Sequence, residues 1–158
     1  MQRSLLSFLL IATASMLLSC GGDGEPTPSP QKNEQQQAVE QLAGGSTITW
    51  TVANGGAVTK DGQSLTGDFS GFELKLIDSG NGRTYATTAN PLFDQNGNWN
   101  FVGESLDKIL LTGKQPAAGK EISFSRNGDK LTLTFNVPVP NARVEALAGS
   151  YVFELMKK

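Results

Sequence analysis

Lys130-Leu131-Thr132-Leu133-Thr134-Phe135 places an apolar side chain at every second position, and Glu121-Ile122-Ser123-Phe124-Ser125 upstream does the same. Successive side chains of a strand point to opposite faces, so a period of two means one buried face and one wet face. Between the runs lies Arg126-Asn127-Gly128-Asp129. An Asn-Gly pair supplies the positive φ angles of a type I′ turn, so the two runs read as one hairpin.

The same signal extends in both directions. Thr47 to Val52, Phe72 to Leu76, Arg83 to Thr88, Gly97 to Val102, Lys108 to Thr112 and Ser150 to Met156 read as further strands, with weaker turn signals at Asp61-Gly62, Asn81-Gly82 and Asn96-Gly97. Short connections between about eight strands imply antiparallel neighbours in a meander. The expectation is an all-β domain: an antiparallel up-and-down barrel of about eight short strands, with a β sandwich as the alternative. The inward set would be Ile48, Trp50, Phe72, Leu74, Leu76, Tyr85, Trp99, Phe101, Ile109, Leu111, Ile122, Phe124, Leu131, Leu133, Phe135, Tyr151, Phe153 and Leu155. That is enough apolar volume to fill a small barrel without a ligand.

With 158 residues the chain has room for one such domain plus processing segments. Its 13 basic and 15 acidic residues give a net charge of -2, which argues against a nucleic-acid groove. Histidine is absent and there is a single cysteine, so within this chain Ser-His or Cys-His catalysis and Cys/His zinc sites are excluded. No internal disulfide can form either.

That cysteine has a position with meaning. Arg3 precedes an apolar stretch from Leu5 to Leu18, about 14 residues long, which is short of the roughly 20 needed to span a bilayer and fits a cleaved export signal. Leu17-Leu18-Ser19-Cys20 resembles the lipobox of bacterial lipoproteins. The resemblance implies a signal peptide over 1–19, cut before Cys20, which then carries the acyl chains, palmitate among them, that form the membrane anchor. It also implies an outer-membrane lipoprotein on the periplasmic or cell-surface face, because Gly21 stands where an inner-membrane retention signal has Asp.

Residues 20–43 read as the lipidated Cys, a Pro/Gln-rich tether and a short helix. Pro26, Pro28 and Pro30 alternate in a stretch with nothing to bury. Asn33 with Gln36 forms a capping-box pattern, Val39 and Leu42 share a face, and Gly44 ends the helix. So short a helix needs a surface to pack on, and the end of the β domain is the available one.

The β domain, 44–158, resembles the lipocalin-like domains of small Gram-negative outer-membrane lipoproteins. The likeness rests on Trp50 in the opening strand, Gly97-Asn98-Trp99-Asn100-Phe101, Leu131 to Phe135, and Arg143 ahead of Gly149-Ser150-Tyr151-Val152-Phe153. It implies a barrel-end closure in which Arg143 stacks over Trp50. Ile48 stands where lipocalins have Gly, and strands of about 6 residues allow a cup only about 20 Å deep.

Candidate sites are few. Trp50, Tyr85 and Trp99 could line a ligand cavity, although aromatics on the apolar face of a strand are ordinarily core. Asp94-Gln95-Asn96-Gly97-Asn98 spaces oxygens like a calcium loop, but Gly is fourth and Ser105 twelfth, so it reads as a turn. Glu104 and Asp107 could be imagined as an acid/base pair, but they lie in a short loop without a burying context and read as a solvated loop. No catalytic residue, metal site or cofactor is expected beyond the covalent lipid on Cys20. The leading expectation is non-catalytic binding of a small apolar or amphipathic ligand in the barrel, entered between Asn54 to Gly71 and Pro138 to Ala148. The competing one is an adhesive or structural protein-interaction module with a filled core.

Overall fold

Eight strands with one apolar face each can hide those faces together by curling the sheet until its two edges meet. A computed structural model describes residues 33–88, 90–139 and 145–158. Its strands are β1 (Thr47–Thr51), β2 (Ala57–Lys60), β3 (Gln63–Ser64), β4 (Glu73–Asp78), β5 (Arg83–Thr87), β6 (Asn96–Phe101), β7 (Lys108–Leu111), β8 (Glu121–Asn127), β9 (Lys130–Val137) and β10 (Gly149–Lys157). Pairing runs β1, β4, β5, β6, β7, β8, β9, β10 and returns from β10 to β1. Every pairing is antiparallel. Eight strands therefore close an up-and-down barrel, and the sandwich alternative is set aside.

The remaining two strands were not anticipated. β2 and β3 form a hairpin inside the segment expected to be an open rim, with Asp61 (φ 49°) and Gly62 (φ 80°) supplying the two positive φ angles of its turn. β10 serves both neighbours: Phe153 stands opposite Val58 of β2, and Lys157 opposite Trp50 of β1.

Strand phase follows the alternation. Along β9, Leu131, Leu133, Phe135 and Val137 are buried while Thr134 and Asn136 are exposed. Every residue of the expected inward set is buried except Phe101, which is partly buried. One local reading needs correction. Asn127 pairs with Lys130, so the turn residues are Gly128 and Asp129, and of these Gly128 alone has a positive φ, 60°. Glycine at the first central position is the type II′ pattern, so the turn is shifted one residue from the Asn-Gly reading.

Helix α1 (Glu34–Ala43) forms with the expected caps. The Asn33 side chain accepts from the Gln36 N–H at 2.7 Å, the Gln36 side chain accepts from the Asn33 N–H at 3.1 Å, and Gly44 closes the helix at φ 61°. Ala38, Val39, Leu42 and Ala43 are buried, and the helix packs on β1 and β4. It thus lies at the barrel end that also carries the β4–β5, β6–β7 and β8–β9 connections. The opposite end carries the β2–β3 turn and, among the described residues, 88, 90–95, 112–120, 138–139 and 145–148.

Candidate functional site

Trp50, Tyr85 and Trp99 are all inside the barrel wall, each 2 % exposed or less. Each spends its polar handle on backbone. Trp50 Nε1 donates to the Leu42 carbonyl at 2.9 Å, Trp99 Nε1 to the Ile77 carbonyl at 3.1 Å, and the Tyr85 hydroxyl to the Thr112 carbonyl at 2.6 Å. Burial raises the pKa of the Tyr85 phenol above its ordinary value, and the nearby Asp94 charge adds to this, so the hydroxyl stays a donor. Among the described residues every buried side-chain nitrogen or oxygen has a hydrogen-bond partner. The three aromatics therefore lie together in the core with their donors already committed to the wall.

At the helix end the cation over Trp50 is Arg126. Its guanidinium carbon lies 5.3 Å from the indole centroid, and Nη1 donates to the carbonyls of Glu40 (3.2 Å) and Gln41 (3.0 Å) in the last turn of α1. A cation at a helix C-terminus satisfies carbonyls that have no partner within the helix and complements the helix dipole. Trp50 and Arg126 thus hold the last turn of α1 together through three successive carbonyls, those of Glu40, Gln41 and Leu42. Arg143 and Cys20, named from the sequence for barrel closure and lipidation, lie outside the described residues.

A second arginine does similar work nearby. Arg83 lies 5.2 Å from the Trp99 ring and 5.1 Å from the Phe101 ring, and its Nε donates to Asp78 at 3.1 Å. The backbone N–H of Gly80, with Arg83 beside it, holds the Asp78 carboxyl below its usual range. Strand phase could have revealed both arginines. Arg126 follows Ile122 and Phe124 at steps of two, and Arg83 precedes Tyr85 by two, so both fall on the inward phase.

The far end is closed by rings. Phe93, from the β5–β6 segment, meets Phe135 of β9 at 5.3 Å between centroids and Phe153 of β10 at 6.1 Å. Phe72, just before β4, lies 5.1 Å from Phe153, and Phe69 lies at the same distance from it. Phe135 and Phe153 sit on the paired strands β9 and β10, whereas Phe72 and Phe93 come from the β4 to β6 side, which is not paired with β9 or β10, so the two sets meet across the barrel. The Asn90 side-chain oxygen folds the plug inward by accepting from the backbone N–H groups of Leu92 and Phe93. Leu92 is fully buried, as is Ala117 from the β7–β8 connection.

Asp94 ties these two connections together. Its Oδ2 accepts from the backbone N–H of Lys114 at 2.7 Å and of Gln115 at 2.9 Å. Those bonds, the Gln115 one foremost, lower its pKa. Gly113 is required beside it: φ is 152°, and a Cβ there would strike the Asp94 carboxylate. Asp94 thus serves as a structural carboxylate, but the turn expected over Asp94 to Asn98 is not formed: Asn96, Gly97 and Asn98 belong to β6 and pair with β5. Among the described residues no group of three acidic, Cys or His side chains could hold a metal ion. Asp107 is engaged by the Ser105 hydroxyl within its own loop.

Outside the plug, between the β7–β8 connection and the end of β9, lies a cleft of 520 Å³. Its apolar lining comes from Pro116, Val137, Pro138 and Leu147, and Lys114 and Lys120 stand at its edge. No protein-family model matches the chain, and none of the curated proteins or solved structures matches it. The functional reading therefore rests on the chain's own geometry.

Proposed function

We propose that this protein is a lipid-anchored envelope lipoprotein, held at the outer membrane through Cys20, whose barrel is a non-catalytic scaffold that acts through its outer surface. The observation that carries the scaffold reading is the meeting of Phe72, Phe93, Phe135 and Phe153 across the axis. An eight-stranded barrel is just wide enough to be filled by side chains or to hold one small ligand. Here an interior ligand would have to displace those rings, so the carrier expectation is the weaker of the two.

The anchor rests on Leu17-Leu18-Ser19-Cys20 and on the extended, proline-spaced composition that follows.

Metabolic labelling with a palmitate analogue tests the anchor. The wild-type chain should take up label and fractionate with the outer membrane, and Cys20→Ala should do neither. Label retained by Cys20→Ala, or an N-terminus mapped elsewhere, would overturn the anchoring.

A further inference from the structure

If the interior is filled, a small-molecule site has to lie outside it, and the far-end cleft has the composition of one. Its volume, 520 Å³, falls in the range of small-ligand pockets, which run from about 300 to 1,000 Å³. Val139, which follows the lining residue Pro138 in the chain, is 65 % exposed and the one large apolar side chain so exposed among the described residues. An apolar lining of this kind attracts hydrocarbon.

The edge of the cleft carries charge of one sign. Lys114 and Lys120 both line it, and neither ammonium forms an ion pair among the described residues. Asp94, whose charge Lys114 feels, has its Oδ2 occupied by the amides of Lys114 and Gln115. The β7–β8 connection holds this edge in place through the Gly119 N–H donating to the Leu111 carbonyl at 2.8 Å and the Ala117 N–H to the Leu92 carbonyl at 3.0 Å. Two cations beside a patch of hydrocarbon complement a molecule with an anionic head and an apolar tail.

We propose that this cleft binds a single-chain anionic amphiphile of the fatty-carboxylate class, its head drawn to Lys114 and Lys120 and its tail laid on Pro116, Val137, Pro138 and Leu147. The proposal rests on the filled-scaffold reading, and its test can separate the two. The unlipidated chain from residue 21 onward retains the whole compact unit, Lys32–Lys158, and suits the measurement. Dodecanoate, kept below its micellar concentration, is titrated into the labelled chain while backbone amide NMR shifts are followed.

Saturable shifts should map to 114–120 and 137–139. Lys114→Glu with Lys120→Glu should weaken binding about tenfold or more, since two exposed attractions become repulsions, while the paired Lys→Arg substitutions should stay within about threefold. Dodecyltrimethylammonium, with the same tail and the opposite charge, should bind about tenfold more weakly than dodecanoate. Equal binding of both amphiphiles, no saturation, or a response to anionic phospholipid vesicles alone would overturn the cleft assignment and leave the scaffold reading intact. Shifts centred on Leu133 and Phe153 would overturn both.

Discussion

At the helix end the barrel is covered by α1, held by one indole N–H and one guanidinium reaching its last carbonyls, whereas at the far end Phe69, Phe72, Leu92 and Phe93 fold inward from the connections. The first closure is directional: a hydrogen bond exists only at its own distance and angle, so it fixes where the helix sits while adding little net stability. The second is non-directional and proportional to the area buried, so it contributes much of the fold's stability while specifying less about placement. Losing the first should free one element. Losing the second should cost the whole barrel.

The largest effect should come from Phe153→Ala. Phe153 is fully buried and within ring contact of Phe69, Phe72, Phe93, Phe135 and Tyr151. Its truncation should cost about 3–5 kcal/mol in denaturant unfolding, with protection against amide exchange falling throughout the barrel. A loss under about 1 kcal/mol would mean that these rings do not carry the far end.

Arg126→Met keeps much of the side-chain stem and removes the charge. It should cost about 1–2 kcal/mol through the lost cation–π contact and the two helix carbonyls. The sharper expectation is its distribution: exchange protection should fall in α1 and hold in β4 to β9. Uniform loss across all strands would make the two closures alike.

The smallest effect is a pH dependence. Asp94 has a folded pKa below its unfolded value, which is about 3.9. Its stabilising contribution is therefore fully present above that value and is lost as pH falls through the lower, folded one. Asp94→Asn should lower the thermal midpoint at pH 7, and its deficit relative to wild type should shrink on acidification below about pH 4. A deficit that stays constant to pH 2 would show that the amides of Lys114 and Gln115 do not depend on the charge.

The ring of eight strands was legible in the sequence because period-two alternation survives wherever one face meets a core and the other meets water. α1 was legible to the residue from Asn33, Gln36 and Gly44, since capping is local chemistry. β2 and β3 were hidden for a physical reason. Val58 is their one fully buried residue, and Gln63 and Ser64 are both exposed, so the hairpin carries no alternation to read. The plug was hidden differently: Leu92, Phe93 and Ala117 sit in connections, where no period marks an apolar residue as buried.

Of the site, the sequence placed Trp50, Tyr85 and Trp99 in one interior, while the partner over Trp50 could not be chosen from chain order. Arg126 lies 76 positions downstream, next to a turn, and chain order alone does not say which strand ends the barrel brings together. The cleft depends on bringing the β7–β8 connection against the end of β9, which only closure of the barrel supplies.

The central claim is that the barrel is filled and meets small molecules from outside. Intermolecular nuclear Overhauser effects between protonated dodecanoate and a methyl-labelled, otherwise deuterated chain test it most directly. The account predicts contacts to Val137, Val139 and Leu147 with none to Leu74, Leu131, Leu133 or Leu155, all of which face the interior and are at most 1 % exposed. Strong contacts to those four leucines would place the ligand among the rings and contradict it.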